Sequence, residues 1–233
     1  MPCTLPASLA DAAVCRGSFH AVLGGEAGEA VFADFSAALQ KAQAEGRILT
    51  ASLFRYENHL FFYAEGLNRP FTPQGLCPAL DAALLPWPPA LGETAPRPWA
   101  AMQPYFYHDV PTTAADWQQG RCPQRRRGRI ALLPPDKWCS YMEHHLRIVT
   151  EGLVEGDRWH LICVQEGVLF SYLEEPRTNV NIKHRPGAHS PELDAWIAAD
   201  PESHFARFTP EQKAHPDSGH NFVFLPRIAG TED

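Results

Sequence analysis

Hydrophobic positions along this chain recur with two periods, and each change of period marks an element. Phe19 to Leu23 is a short apolar run of strand length. Ala27 to Ala44 follows with Val31, Phe35, Ala38 and Ala42 at helical spacing, and Gly46 ends that helix. Ile48 to Phe54 and His59 to Ala64 predict two strands joined by the turn Tyr56-Glu57-Asn58. A short helix around Cys77 to Leu84 and a strand at Tyr105 to Val110 complete the series.

The same series then returns. Leu60-Phe61-Phe62-Tyr63-Ala64-Glu65 aligns with Leu169-Phe170-Ser171-Tyr172-Leu173-Glu174 at an offset of 109 residues. Around it the pattern predicts a strand at Arg129 to Leu133 and a helix at Asp136 to Thr150. Trp138, Met142, His145 and Val149 share a stripe of that helix, and Gly152 stops it. Trp159 to Val164 and Val168 to Leu173 predict a hairpin turning at Gly167. Pro191 to Ala199 predicts a helix capped by Ser190, and Phe222 to Leu225 a closing strand.

The expected organisation is therefore a first half over residues 1–110, a linker over 111–128 and a second half over 129–233. The proline-dense stretch Pro86 to Pro98 is neither helix nor central strand and is read as an irregular arm. The fold class expected is α+β: two tandem ferredoxin-like βαββαβ units packed sheet to sheet. Each sheet's bare apolar face covers the other and encloses a pocket. The alternative is two separate domains on a string.

Composition adds exclusions more than assignments. With 45% hydrophobic and 20% charged residues among 233, the chain can bury a sizeable core. Its net charge of −7 offers no general attraction to nucleic acid or anionic lipid. The run Arg125, Arg126, Arg127 and Arg129 is read as solvated linker. The first twenty residues hold no signal-peptide run and no segment reaches membrane-spanning length, so the expected location is cytoplasmic. Six scattered cysteines with no Cys-x-x-Cys pair suggest inert thiols rather than a disulfide or zinc framework.

Candidate chemistry gathers on the helix of the second half. Tyr141 and His145 are four residues apart and share one face with Trp138 and Met142. A histidine facing a sheet is either a satisfied core residue or an acid/base group, and spacing leaves both open.

The run Pro135-Asp136-Lys137-Trp138-Cys139-Ser140-Tyr141-Met142-Glu143-His144-His145 resembles the first helix of L-rhamnose mutarotases, a dimeric α+β barrel family. Val168-Leu169-Phe170, Trp196 to Asp200, Pro216-Asp217-Ser218 and Phe222 to Pro226 resemble later motifs of that family, in the same order. The resemblance spans about Arg129 to Pro226. It implies a mutarotase-type isomerase interconverting anomers of a deoxy sugar. His145 would be the general acid/base and Tyr141 its partner; Trp159, Phe205, Asp217 and Trp138 would line the sugar site. It implies no metal and no organic cofactor, a small sugar as partner, and a monomeric pseudo-dimer or homodimer. Val31 and Phe35 stand where the first half would carry the pair, so one site per chain is expected.

Two alternatives are a non-catalytic sugar-binding or scaffolding protein of the same fold, and another cofactor-independent enzyme of that architecture, such as a monooxygenase. Around the site, His144 is expected to face solvent, Arg177 to His189 to be a surface loop or lid, and Tyr105 and Tyr107 to serve packing. His215 and His220 match no metal motif.

Overall fold

The structure is a computed structural model in which residues 6–179, 182–213 and 218–231 are described. In chain order the elements are β1 (Val14–Val22), α1 (Glu29–Ala44), β2 (Ile48–Tyr56), β3 (His59–Leu67), α2 (Pro78–Ala83), β4 (Ala100–Phe106) and α3 (Ala114–Gln118). Then come β5 (Arg125–Leu132), α4 (Pro135–Glu151), β6 (Val154–Glu155), β7 (Leu161–Gln165) and β8 (Val168–Glu175). β9 (Lys183–His184), α5 (Pro191–Ala198), β10 (Val223–Leu225) and β11 (Arg227–Gly230) follow.

Local chemistry explains the element ends. Pro135 presets φ in the first turn of α4, Asp136 suits the positive end of its dipole, and Gly152 at φ 68° caps its other end. Ser190 Oγ accepts the Leu193 N–H at 3.0 Å and starts α5. Glu166 and Gly167, at φ 50° and 78°, supply the left-handed pair that a two-residue β7–β8 turn requires.

The chain divides into two compact units. One takes the residues up to Met102, Pro111–Pro123 and those from Pro226 onwards; the other takes Gln103–Val110 and Gln124–Leu225. In the first unit the strand order is β4-β1-β3-β2-β11, antiparallel throughout. One face of this sheet packs Leu60, Phe62 and Ala64 against Phe35 and Leu39 of α1. The opposite face is polar at its centre. Glu65, 0% exposed, receives Arg121 Nη1 and Nη2 at 2.7 and 2.9 Å, Trp117 Nε1 at 3.0 Å and the Tyr63 phenol at 2.7 Å. Burial pushes the Glu65 carboxyl up, but the Arg121 charge, its hydrogen bonds and Arg16 outweigh that and hold it below the usual value.

In the second unit the order is β10-β5-β8-β7-β4. Its core joins Ala131, Leu133, Ile162, Val164 and Leu169 to Tyr141 and Ile148 of α4 and to Leu193 and Trp196 of α5.

Two expectations are corrected here. The arginine run is strand, not solvated linker. Arg125, Arg126 and Arg127 lie opposite Glu175, Glu174 and Leu173 in the β5–β8 ladder, with Arg126 Nε 3.6 Å from Glu174 and Arg127 Nη1 3.3 Å from Glu175. Opposite charges across a ladder neutralise what the sequence pattern shows as a hydrophilic stretch.

The fold class is also corrected. Two tandem ferredoxin-like units packed sheet to sheet, as in a dimeric α+β barrel, are not what forms. Among the described residues, each unit instead holds a sheet of five strands in antiparallel order, β4-β1-β3-β2-β11 in the first and β10-β5-β8-β7-β4 in the second. The reason lies in β4, which pairs first with β1 and then with β7. Ala100–Met102 pair with β1, and Gln103, Pro104 and Phe106 pair with β7 across a register shift. The first part of β4 thus closes one edge of the first unit's sheet, and its second part an edge of the second unit's sheet.

Candidate functional site

The site is built within the second unit on α4, β4, β5 and α5. Helical spacing puts Tyr141, His145 and Ile148 on one buried stripe, with Tyr141 3% and His145 4% exposed. On β4, the register shift between Pro104 and Phe106 lets two consecutive residues reach this stripe. The rings of Tyr105 and Phe106 stand edge-on to His145 at 5.7 and 4.8 Å between centroids. Trp196 of α5 closes from another side at 4.7 Å, and the Tyr141 ring lies 4.2 Å away. Phe205 and His204 meet Tyr141 at 5.2 and 5.9 Å.

Hydrogen bonding fixes the state of the histidine. His145 Nδ1 lies 2.9 Å from the carbonyl of Tyr141, which can only accept, so Nδ1 carries the proton and Nε2 holds the lone pair. Burial lowers the His145 pKa to about 4, against which that carbonyl pulls upward; His144, His204 and His108 lower it further. At neutral pH the ring is an uncharged acceptor. Burial raises the Tyr141 phenol to about 12 and pushes Tyr105 well above its ordinary value, so both phenols keep their protons.

Arg129 brings a charge into these surroundings. Its guanidinium carbon sits 4.3 Å from the centre of the Phe222 ring, and Phe222 packs on Phe205 at 4.9 Å. Its Nε is shut away from solvent and hydrogen-bonds nothing, and among the described residues no carboxylate comes within ion-pair distance. Burial lowers its pKa from 12.5 to about 10, and the neighbouring Arg177 adds to that. Tyr141, Tyr105 and Glu202 act in the opposite direction. It therefore remains a cation at neutral pH, beside two phenols.

Of the residues singled out in the sequence, Tyr141, His145 and Phe205 come together. Trp159 is buried at 6% exposure, but none of the ring contacts of Tyr141 or His145 is with it. Trp138 points elsewhere: it is 38% exposed and lines a groove of about 470 Å³ with Leu133, Pro134, Gly167 and Ala206. Asp217 and His215 lie outside the described residues. His144 is half-buried against Trp196 at 5.3 Å rather than solvent-facing. Much of the 177–189 loop is fastened: Arg177 pairs with Asp157 at 3.1 Å, and β9 pairs with β6. Phe35, at the position equivalent to His145 in the first half, sits in the first unit's core against Phe62 and Trp99.

Sequence reasoning missed Arg129, assigned to the basic run, and gave Tyr105 only a packing role. The available signal was that Arg129 stands directly before the apolar residues Ile130 to Leu133.

No family model matches this chain, and no curated protein does. Several solved structures align with it, among them the following. A "putative monooxygenase" from Lactobacillus acidophilus NCFM is 7% identical, with 94% of this chain and 96% of that chain covered and a TM-score of 0.38. A "putative monooxygenase" from Fusobacterium nucleatum subsp. nucleatum is 10% identical, with 94% of each chain covered and a TM-score of 0.41. An anthrone oxidase-like protein is 8% identical, with 92% of each covered and a TM-score of 0.37.

These findings overturn the likeness to L-rhamnose mutarotases. With it go the rhamnose-type sugar, the isomerase class and the role in carbohydrate metabolism; sugar binding without catalysis gains no support either. The matched motifs were three to eleven residues long, and shared order among pieces that short does not establish descent. The structural alignments, at this identity and score, transfer no activity to the chain. Among the described residues, no helix is long and apolar enough to cross a membrane.

Proposed function

We propose that the second unit binds a flat, largely apolar small molecule bearing an acidic oxygen, such as a phenol, an enolisable aromatic ketone or an aromatic carboxylate. The observation that carries this reading is Arg129, a guanidinium with a buried, unpaired Nε beside protonated phenols. Burying a cation without a carboxylate is costly, and a ligand oxyanion is the partner that relieves it. Tyr141 and Tyr105 offer hydroxyl donors to the same oxygen, and Phe205, Phe222 and Trp196 offer aromatic faces to the apolar body.

His145 gives the reading its chemistry. With Nδ1–H committed to the Tyr141 carbonyl, Nε2 can accept only a proton or a hydrogen bond. An acidic O–H or C–H next to Nε2 would be hydrogen-bonded by the neutral imidazole, and Arg129 would hold the negative charge developing on the ligand oxygen; proton transfer to the ring would need that bound anion to lift the His145 pKa back from about 4. Tyr141 and His145 are then catalytic residues and Arg129 the oxyanion-binding group. Trp159 and Trp138 stand outside this reading.

Trp196 lies in the aromatic layer, so tryptophan fluorescence should report occupancy. Titration with 1-naphthol and 2-naphthoate should quench it saturably, naphthalene should bind at least tenfold more weakly, and Arg129→Met should abolish the difference. Equal binding of the charged and neutral probes, or full binding by R129M, rules the reading out.

A further inference from the structure

A second cluster lies away from this aromatic layer, where β9 meets the start of α5. His184 Nε2 is 3.6 Å from Asp194 Oδ1, and His189 Nδ1 is 3.4 Å from Asp194 Oδ2. One ligand atom from each of the three residues falls within 4.8 Å of the others. We propose that His184, His189 and Asp194 form a binding site for a divalent cation of the zinc class, completed by water.

The donor set is the first argument. Two imidazoles and one carboxylate suit borderline divalent ions such as Zn²⁺, and three protein ligands with an open position are a common zinc arrangement. The second argument is how the backbone holds the three. His184 is fixed in register opposite Val154, and the Arg185 N–H donates to the Leu153 carbonyl at 3.1 Å. The loop then turns tightly, with the Ala188 N–H bonded to the Arg185 carbonyl at 2.9 Å and Gly187 at φ 74°. Ser190 caps α5, which places Asp194 in its first turn. Three chain segments thus aim their donors at one point before any ion arrives. The site stays reachable, with side-chain exposures of 37% for His184, 74% for His189 and 49% for Asp194.

One hydrogen bond sets the expected strength. His184 Nδ1 accepts the Ser190 N–H at 3.1 Å, which puts the ring proton on Nε2 and directs it at Asp194. Metal at Nε2 displaces that proton to Nδ1, so the ring must turn away from the Ser190 N–H. The ion therefore competes with a bond already made, and moderate rather than extreme affinity follows.

Isothermal titration of tag-free protein with Zn²⁺ at pH 7.5 tests the site. One ion per chain is expected, with Kd on the order of micromolar. His184→Ala, His189→Ala and Asp194→Asn should each weaken it at least tenfold, and the Ser190 amide resonance should shift on binding. Modification of His184 and His189 by diethyl pyrocarbonate, read by mass spectrometry on the unaltered protein, should fall when Zn²⁺ is present. Absence of saturable 1:1 binding, undiminished binding by H184A/H189A, or modification that Zn²⁺ leaves unchanged overturns the proposal.

Discussion

The two groups that give the second unit its chemistry are both held in states the fold pays to maintain. His145 prefers its neutral form when folded, with a pKa of about 4 against 6.5 for the free side chain. The unfolded chain therefore binds the extra proton first as pH falls. Stability should be flat above about pH 7, then decline by roughly 2–3 kcal/mol between pH 7.5 and 4.5, as the linkage of proton binding to folding requires. Urea unfolding at the two pH values measures the drop, and His145→Phe should remove most of it. Arg129 is the opposite case, a cation with no carboxylate in ion-pair distance among the described residues. Arg129→Met should raise the unfolding free energy by about 1 kcal/mol, because an unsatisfied buried donor is lost, while ligand binding falls. A residue with only a packing role would lower stability instead. Of this pair, the histidine was legible in the sequence because Tyr141 and His145 share a helical stripe. The arginine was not: whether a charge at a strand's start is solvated or buried depends on Phe222, 93 residues further on.

Elements were legible wherever periodicity and end signals agreed. Both long helices, both hairpins and the caps at Gly152 and Ser190 lie where the pattern placed them, within a few residues. The arginine-rich start of β5 was not legible, because its ladder partners Glu174 and Glu175 are about fifty residues away. β3 shows how closely an element can be confined. A Cβ at Gly66 would stand 2.3 Å from the Arg69 carbonyl oxygen and 3.0 Å from the Phe71 nitrogen, since residues 69–71 cross directly over the strand. Gly66→Ala should cost about 1–3 kcal/mol, the range for forced overpacking, as thermal or urea unfolding would show. Retention of full stability would mean that the crossing segment moves freely.

At the scale of the whole molecule, the same ladder position carries ions in both units: Arg16 lies opposite Glu65, and Arg126 opposite Glu174. Tyr63 and Tyr172 donate to those carboxylates at 2.7 and 2.6 Å. In the first unit Arg121 is decisive for the buried Glu65. Arg121→Met should cost about 3–5 kcal/mol, as breaking a buried pair does, and Glu65→Gln in the same chain should recover part of it in a double-mutant cycle. An additive cycle would show that the two side chains do not act as a pair. Read alone, the sequence determined the two long helices, the two hairpins and the helix face bearing Tyr141 and His145, because period and capping are short-range effects that neighbouring residues decide; it placed β4 at Tyr105 to Val110 instead of Ala100–Phe106 and did not show α3, β6, β9 or β11. Only the tertiary structure decided that β4 pairs first with β1 and then with β7, that β11 returns to β2, and that the Arg129 guanidinium lies over the Phe222 ring. Those outcomes turn on which distant backbone edges and side chains satisfy one another, and no local pattern along the chain encodes that choice.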